Sequence, residues 1–458
     1  MKSTLRVSFL GATQTVTGSK YLLTSGAHRV LVDCGLFQGY KHLRLKNWSP
    51  PPIAPGDIDA VLLTHAHLDH SGYLPLLVKN GYRGPIYATP ATIALCGILL
   101  PDSGHLQEEQ AEYANRHEFS KHKPALPLYT EADARACLHQ FEPVMFDSPV
   151  DLAGKMSARF THAGHLPGAA SVRVEAEGRS ILFSGDLGRS CDALMRAPAS
   201  PPAADYVVME STYGDRAHSP VDPQEELERA VHRAVDRGGV VLIPSFAVGR
   251  AQLLMLLIAR LEAAGRIPAL PVYLDSPMAI DATELLLRFR AEHRLTDADV
   301  SAIHRLARAV RTAEQSKALG RLREPAIIVS ASGMATGGRV VHHLKTFAPD
   351  ARNVILFAGF QAGGTRGASL VAGAQTIRIH GQSIPVEAEV VQLTSVSAHA
   401  DAAELVAWLR QLPSPPRRVF ITHGEPAGSD ALRQRIATEL GWSSVVPEYR
   451  DEFELDGG

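Results

Sequence analysis

The segment Thr64-His65-Ala66-His67-Leu68-Asp69-His70 constrains this chain more than any other. It follows directly on Asp57 to Thr64 (DIDAVLLT), an apolar run that reads as a buried strand. Four potential ligands within six residues of a strand end are not tolerated in a packed core unless a cation offsets their desolvation. On a turn leaving the strand, His65 and His67 can converge on one cation while Asp69 and His70 face a second. Imidazole nitrogens with a carboxylate suit zinc, with manganese or iron as weaker matches. The set needs further ligands. Candidates are His165 in THAGHLPGAAS, with His162 as its near competitor, Asp186 at the end of ILFSGD, and His423 at the end of VFITH. His28, His42, His105, His117, His139, His232 and His304 read as ordinary surface or core residues.

Composition excludes several other classes. A length of 458 residues corresponds to two or three domains of about 150 residues. Apolar residues make up 45% and charged residues 21%, enough for a large core. The net charge of −2 rules out a protein that grips polyanions by bulk charge, but leaves room for a local basic groove. Cys34, Cys96, Cys137 and Cys191 form no CxxC pair, which excludes a cysteine-ligated zinc finger and argues against a disulfide scaffold. The N-terminal stretch lacks the apolar run of a signal peptide, and no 18-residue apolar segment suggests a membrane span. The expectation is a soluble, reduced, cytoplasmic protein.

Along the chain, strands are expected at Arg6 to Leu10, Tyr21 to Thr24 and Arg29 to Asp33, and a helix over about Thr89 to Glu118. More strands follow at Ser157 to His162, Ala170 to Ala176 and Ser180 to Ser184, then a Pro-rich connector, Ala197 to Ala204. From Val207 the pattern becomes strand–helix alternation. Asp222-Pro223 opens one helix and Gly238-Gly239 ends it. Strands Val240 to Pro244, Val272 to Asp275, Ala326 to Ser330 and Asn353 to Ala358 alternate with helices at Ala251 to Ala264 and Gly338 to Phe347. Such alternation implies a parallel, Rossmann-like sheet. After about Glu389 strand, turn and helix resume, with new histidines.

These motifs, taken in order, resemble the metallo-β-lactamase superfamily and, within it, the β-CASP nucleases, a group that includes the endonuclease subunit of the cleavage and polyadenylation factor and bacterial and archaeal ribonucleases. Asp33 in LVDCGLFQG resembles the first family motif, HAHLDH the second, His165 in AGHLPGAAS the third and Asp186 in FSGDLG the fourth. Glu210 in VMESTYG, His399 in SVSAHAD and His423 in ITHGEP look like the three β-CASP motifs. Pro167 stands where an aliphatic residue is usual, and Gly364 to Leu370 (GTRGASL) matches its family stretch only in part. The resemblance implies an α/β fold: a metallo-β-lactamase αββα sandwich built from residues 1–210 and 390–458, with an inserted Rossmann-like β-CASP domain at 211–389 and the active site in the cleft between them. It selects His165 over His162. It further implies one zinc on His65, His67 and His165, a second on Asp69, His70 and His423, Asp186 bridging them, and Asp33 orienting a ligand.

The chemistry implied is a zinc-dependent ribonuclease. A hydroxide bridging two zinc ions would attack phosphorus in line. His399, oriented by Glu210, would protonate the leaving 3′-oxygen, giving 5′-phosphate products. RNA, single-stranded, is the expected substrate, because RNA-directed members of the family carry His at the position of His423. The turn Ser330 to Gly338, with Ser332 and Gly333, and the junction Pro244 to Arg250, with Ser245 and Arg250, are candidate phosphate contacts. The basic run His304 to Arg323 reads either as a solvated face or as a rim for a phosphate backbone. No membrane partner is expected, and a homodimer is left open. Two alternatives share the histidine motif: a small-molecule thioester or lactone hydrolase, and a catalytically silent RNA-processing scaffold.

Overall fold

The structure is a computed structural model that describes residues 4–118, 120–359, 361–393 and 395–455. The chain divides into two compact units, Met1–Ala217 together with His399–Gly458, and His218–Ala398.

The first unit begins with an antiparallel meander, Leu5–Phe9, Tyr21–Ser25 and His28–Val32. The second and third strands are joined by a two-residue turn that needs a positive φ, supplied by Gly26 at 59°. Ala60–Leu62, Ile86–Ala88 and Phe141–Pro143 then add in parallel, and Glu452–Glu454 from the other end of the chain pairs with Leu5–Phe9 to make seven strands. A second seven-stranded sheet runs in the order Ser444–Val445, Arg418–Thr422, Tyr206–Glu210, Arg179–Phe183, Ala170–Ala176, Ser157–His162, Pro149–Asp151. Its first four strands are parallel and the rest antiparallel.

The inward faces of both sheets share one core, to which Phe9, Val30 and Leu62 contribute from one side and Phe160, Phe183 and Phe420 from the other. Ring centroids of Phe9 and Phe420 are 5.2 Å apart and those of Tyr21 and Phe183 5.7 Å. Each such buried side chain contributes about 1.5–3 kcal/mol. Helix Pro90–Arg116 packs against Phe141–Pro143, and Pro426–Arg435 against Arg418–Thr422. The unit is the expected αββα sandwich.

The strand expected at Asp57 to Thr64 is shorter. Pro55–Asp57 is a single 3-10 turn and the strand itself is Ala60–Leu62. Its ladder stops because the Asp33 carboxylate accepts the Thr64 amide at 2.8 Å in place of a strand partner. The chain is thereby released into the histidine turn.

The second unit holds a six-stranded parallel sheet, in the order Ala307–Ala309, Val272–Asp275, Ala326–Ser330, Val240–Pro244, Val354–Ala358, Glu389–Leu393. Strands Val240–Pro244, Ala326–Ser330 and Val354–Ala358 are buried along their whole length, as strands covered on both faces must be. Helix Pro223–Asp236 begins as expected: Asp222 accepts the Gln224 amide and Pro223 occupies the first position.

Candidate metal centre

The candidate ligands sit at the carboxyl ends of strands in the first unit. His65 and His67 follow Ala60–Leu62, His165 follows Ser157–His162, Asp186 follows Arg179–Phe183, and His423 follows Arg418–Thr422. Asp69 and His70 lie in the short helix Leu68–Ser71. That helix is tied to the first motif by Cys34 N to His70 O (2.7 Å) and Leu36 N to Leu68 O (2.8 Å). The approach is so close that a Cβ on Gly35 would lie 1.6 Å from the Asp69 carbonyl oxygen, so only glycine fits. Asp33 (φ 59°) and His423 (φ 48°) both hold left-handed backbone. For residues other than glycine this costs on the order of 1 kcal/mol each and persists only where the surroundings enforce it.

Two ligand groups result. One ligand atom from each of His65, His67, His165 and Asp186 lies within 4.8 Å of the others, and the same holds for Asp69, His70 and His423. Asp186 gives one oxygen to each group. Its Oδ2 is 3.4 Å from His65 Nε2 and 3.6 Å from His165 Nε2. Its Oδ1 is 3.2 Å from His70 Nε2 and 3.4 Å from His423 Nδ1. Asp33 lies behind His70, its Oδ2 2.8 Å from Nδ1. A carboxylate only accepts, so Nδ1 carries a proton, and Nε2 points into the cluster. His162, the competitor of His165, instead packs on Phe146 with centroids 5.4 Å apart.

Charge follows from this packing. Burial, with the neighbouring His65, lowers His67 to about 3. Burial and His70 lower His65, and burial and His399 hold His165 well below the usual imidazole range. These three rings are neutral at pH 7, as ligands must be. For Asp186 burial acts upward, but the surrounding histidines, His423 and His70 foremost, outweigh it and keep the carboxylate ionised. His70 is the exception: burial acts downward, yet Asp186 and Asp33 hold its pKa well above the ordinary value.

The donor set fits divalent metal ions. His65 Nε2 and Asp186 Oδ1 are buried and make no hydrogen bond among the described residues. Pairs of ring nitrogens face each other at 3.1 Å, His70 Nε2 with His423 Nε2 and His165 Nε2 with His67 Nδ1. Buried polar atoms ordinarily find partners, and ring nitrogens this close need either a shared proton or a cation between them.

Beside the cluster, Glu210 ends its strand with a fully buried carboxylate. Oε1 accepts the Leu187 amide at 2.6 Å, and both oxygens lie 3.1–3.2 Å from His399 Nδ1. Burial lowers the His399 pKa, but Glu210 and then Asp186 more than reverse this, to about 9. His399 is not the cap of the following helix. Asp401 caps Ala402–Arg410 in a reciprocal box with Glu404, which leaves the imidazole against His165, with centroids 4.6 Å apart.

The candidate phosphate contacts lie in the second unit, at the carboxyl edge of its sheet. The Ser245 amide donates to Ser330 O at 3.0 Å, and Gly333 packs so tightly on Phe246 that a Cβ would come within 2.6 Å of the ring. Ser332 Oγ accepts the Thr336 amide, and the Val340 amide goes to Ala331 O, so amides at the start of helix Arg339–Phe347 are already used within the turn. Arg250 is buried and donates to Val396 O at 2.6 Å. In the basic run, Arg311 pairs with Asp281 and Glu284.

Sequence reasoning passed over Thr64 and Thr212. The Thr64 hydroxyl donates to Asp33 Oδ2 at 2.9 Å and lies 3.1 Å from His65 Nδ1; the Thr212 hydroxyl lies 3.1 Å from His423 Nδ1. Both are sequence neighbours of named motif residues, Thr64 of His65 and Thr212 of Glu210. That adjacency is the only signal available, because a threonine carries no spacing rule.

Known proteins show the same organisation. A model of the metallo-β-lactamase superfamily matches residues 15–231, one of the β-CASP domain residues 251–370, and one described as a Zn-dependent metallo-hydrolase RNA specificity domain residues 383–447. Ribonuclease TTHA0252 of Thermus thermophilus is 39% identical over 441 residues, covering 94% of this chain and 96% of that protein. Transcription termination factor FttA of Methanocaldococcus jannaschii is 33% identical, covering 98% of this chain and 72% of that protein. A crystal structure of a protein of unknown function from Enterococcus faecalis V583 shares the fold, with a TM-score of 0.52 at 13% identity over 99% of this chain and 100% of that one. The chain is a metal-dependent hydrolase and belongs to the β-CASP branch of the metallo-β-lactamase superfamily.

Proposed function

We propose that this protein is a ribonuclease that hydrolyses phosphodiester bonds of single-stranded RNA with two zinc ions, manganese being the alternative metal. The observation that carries the reading is Asp186, whose two oxygens face two separate histidine groups while the Glu210–His399 pair stands beside them. Similarity to a named ribonuclease over nearly the full length supports RNA as the substrate.

His65, His67 and His165 would hold one ion, Asp69, His70 and His423 the other, and Asp186 both. Bound there, the ions supply an activated water and neutralise charge on the phosphate. The protein's own part is proton management. Glu210, fixed by the Leu187 amide, holds the proton on His399 Nδ1 and favours the charged imidazolium. Charged at neutral pH, His399 can give a proton to the departing 3′-oxygen, help worth roughly 10²–10⁴-fold. Asp33 and Thr64 fix the rings of His70 and His65, so the cluster is preorganised. The Glu210–His399 pair favours this reading over a thioester or lactone hydrolase, which has no need of it.

The test is to incubate zinc-loaded protein with end-labelled single- and double-stranded RNA and DNA and to map the product ends, with Asp69→Ala as the control for contaminating nuclease. Cleaved single-stranded RNA carrying 5′-phosphate and 3′-hydroxyl ends is expected. Intact RNA alongside turnover of a thioester or lactone would overturn the reading.

A further inference from the structure

Between Asp33 and Asp57 the sequence contains no carboxylate but carries Lys41, Arg44 and Lys46 within six residues. The structure folds this stretch into a short loop that closes on itself. Asn47 Oδ1 accepts the Phe37 amide at 2.9 Å and Asn47 Nδ2 donates to the Phe37 carbonyl at 2.8 Å, while Gln38 N donates to Thr17 Oγ1. The helical turn Lys41–Lys46 is thereby presented outward on a single buried anchor, Leu43.

Its outer surface is unusual for a soluble protein. Tyr40 is 51% exposed and Trp48 57%, and Leu45 between them is exposed as well. Large aromatic rings left in water next to cations, with no function for them within the fold, mark a binding surface. None of Lys41, Arg44 and Lys46 forms an ion pair among the described residues. Lys46 lies 5.2 Å from the centroid of Phe37 and 4.0 Å from that of Tyr449, and the Arg450 guanidinium lies 5.4 Å from the same Tyr449 centroid. Burial and the repulsion from Arg450 both lower the Lys46 pKa. Two cations therefore lie over one ring, which is carried by a turn in which the Glu448 amide donates to Asp451 Oδ2 at 2.8 Å. The loop is also joined to the metal cluster by short covalent and hydrogen-bonded links. Phe37 is four residues from Asp33, and Leu36 and Cys34 pair with the backbone of Leu68 and His70.

We propose that the loop from Phe37 to Trp48 is an accessory binding site for single-stranded RNA, taking bases on the rings of Tyr40 and Trp48 and phosphates on Lys41, Arg44 and Lys46. The chemistry required is that of a flexible polyanion with exposed π-faces, which single-stranded RNA has and a duplex lacks. The site grips substrate beyond the scissile bond, so it acts on strands long enough to reach it and leaves the chemical step untouched. This rests on the ribonuclease reading above.

The test uses the full zinc-loaded chain with two double variants, Tyr40→Ala with Trp48→Ala, and Lys41→Gln with Arg44→Gln. Cleavage of RNAs of about 4 and about 20 nucleotides is followed across a salt series. In a parallel arm, fluorescence anisotropy reads the affinity of the chelated protein for the long RNA, and sedimentation gives the oligomeric state. The aromatic variant should raise KM for the long RNA by roughly tenfold per ring, with kcat and the short substrate unchanged. The charge variant should flatten the log–log salt dependence by about 1.4, for two phosphate contacts on a single strand. Because all four side chains are exposed, both variants should melt with the parent; if one does not, the other decides. Unchanged KM and affinity for the long RNA overturn the proposal. So does a variant that dissociates a dimer without changing RNA affinity, since the face then binds a second copy of the chain. If the parent cleaves no RNA, the ribonuclease reading falls by itself. The anisotropy arm then still decides the site: lost affinity in the variants supports it, and no RNA binding by the parent removes it.

Discussion

Each unit of the molecule buries an aspartate among histidine, and the two arrangements differ in one respect that separates a structural site from a functional one. In the second unit Asp275 is fully buried and fully satisfied: Arg339 donates to Oδ1 at 2.7 Å, and His343 and Ser316 engage Oδ2 at 2.6 and 2.5 Å. Burial raises its pKa, but those three hydrogen bonds outweigh it and keep the carboxylate ionised. In the first unit Asp186 is equally buried, yet histidines approach it at 3.2–3.6 Å and its Oδ1 makes no hydrogen bond among the described residues. A carboxylate with a complete protein shell fixes structure. One ringed by imidazoles that crowd the same space is arranged for something positive to enter.

The largest expected effect tests that contrast directly. Asp186→Ala should abolish RNA cleavage and metal uptake at both groups while leaving a folded protein. Asp275→Asn should do the reverse: cleavage persists, and the melting temperature falls by roughly 6–12 °C, as expected for about 3 kcal/mol lost when a buried pair is broken in a unit of this size. If both variants lose metal, or neither does, the distinction between the two sites is wrong.

A second, smaller effect sharpens the division of labour inside the cluster. His399→Ala should retain its metal, measured by elemental analysis, and lose roughly 10²–10⁴-fold in kcat. A metal-replete variant that cleaves RNA at the parent rate would remove His399 from the mechanism. Third, Asp33→Asn leaves the His70 ring in place but weakens the acceptor on Nδ1, so zinc affinity measured by competition with a chelator should fall about 10–100-fold. An unchanged affinity would mean that Asp33 only terminates the strand ladder.

The smallest effect concerns pH. The folded protein raises the His399 pKa above its ordinary value, so the proton the proposed mechanism needs is present at neutral pH and lost as pH rises through the raised value, about 9 in the metal-free protein. Activity should therefore fall on the alkaline side. Glu210→Gln removes the main raising charge and should move that limb to lower pH. A limb that stays put would assign it to another group.

Much of this was legible in the sequence, and for a physical reason. HAHLDH is local, and local crowding of ligands has few bland explanations. Strand–helix alternation likewise announced the parallel sheet, and Asp222-Pro223 its helix start. What spacing could not supply was convergence. His165 meets His67, and Asp186 and His423 meet His70, only because the two sheets pack face to face, and pattern-free reasoning could not separate His165 from His162, three residues apart. The hydroxyls of Thr64 and Thr212 were invisible for a related reason, since their work depends on which ring nitrogen they face. The small-residue turn at Ser330 to Gly338 shows the opposite limit. Its composition suggested open amides, while the structure spends those of Thr336 and Val340 within the turn.

The claim beneath all of this is that Asp186 joins two adjacent cation sites. Titrating chelated protein with zinc and counting bound ions per chain tests it most directly. Two ions should bind to the parent chain, one should remain in His67→Ala, and uptake should release protons from His70, whose pKa the folded protein holds well above its ordinary value. A single ion in the parent chain, or two ions bound as tightly after Asp186→Ala, would contradict it.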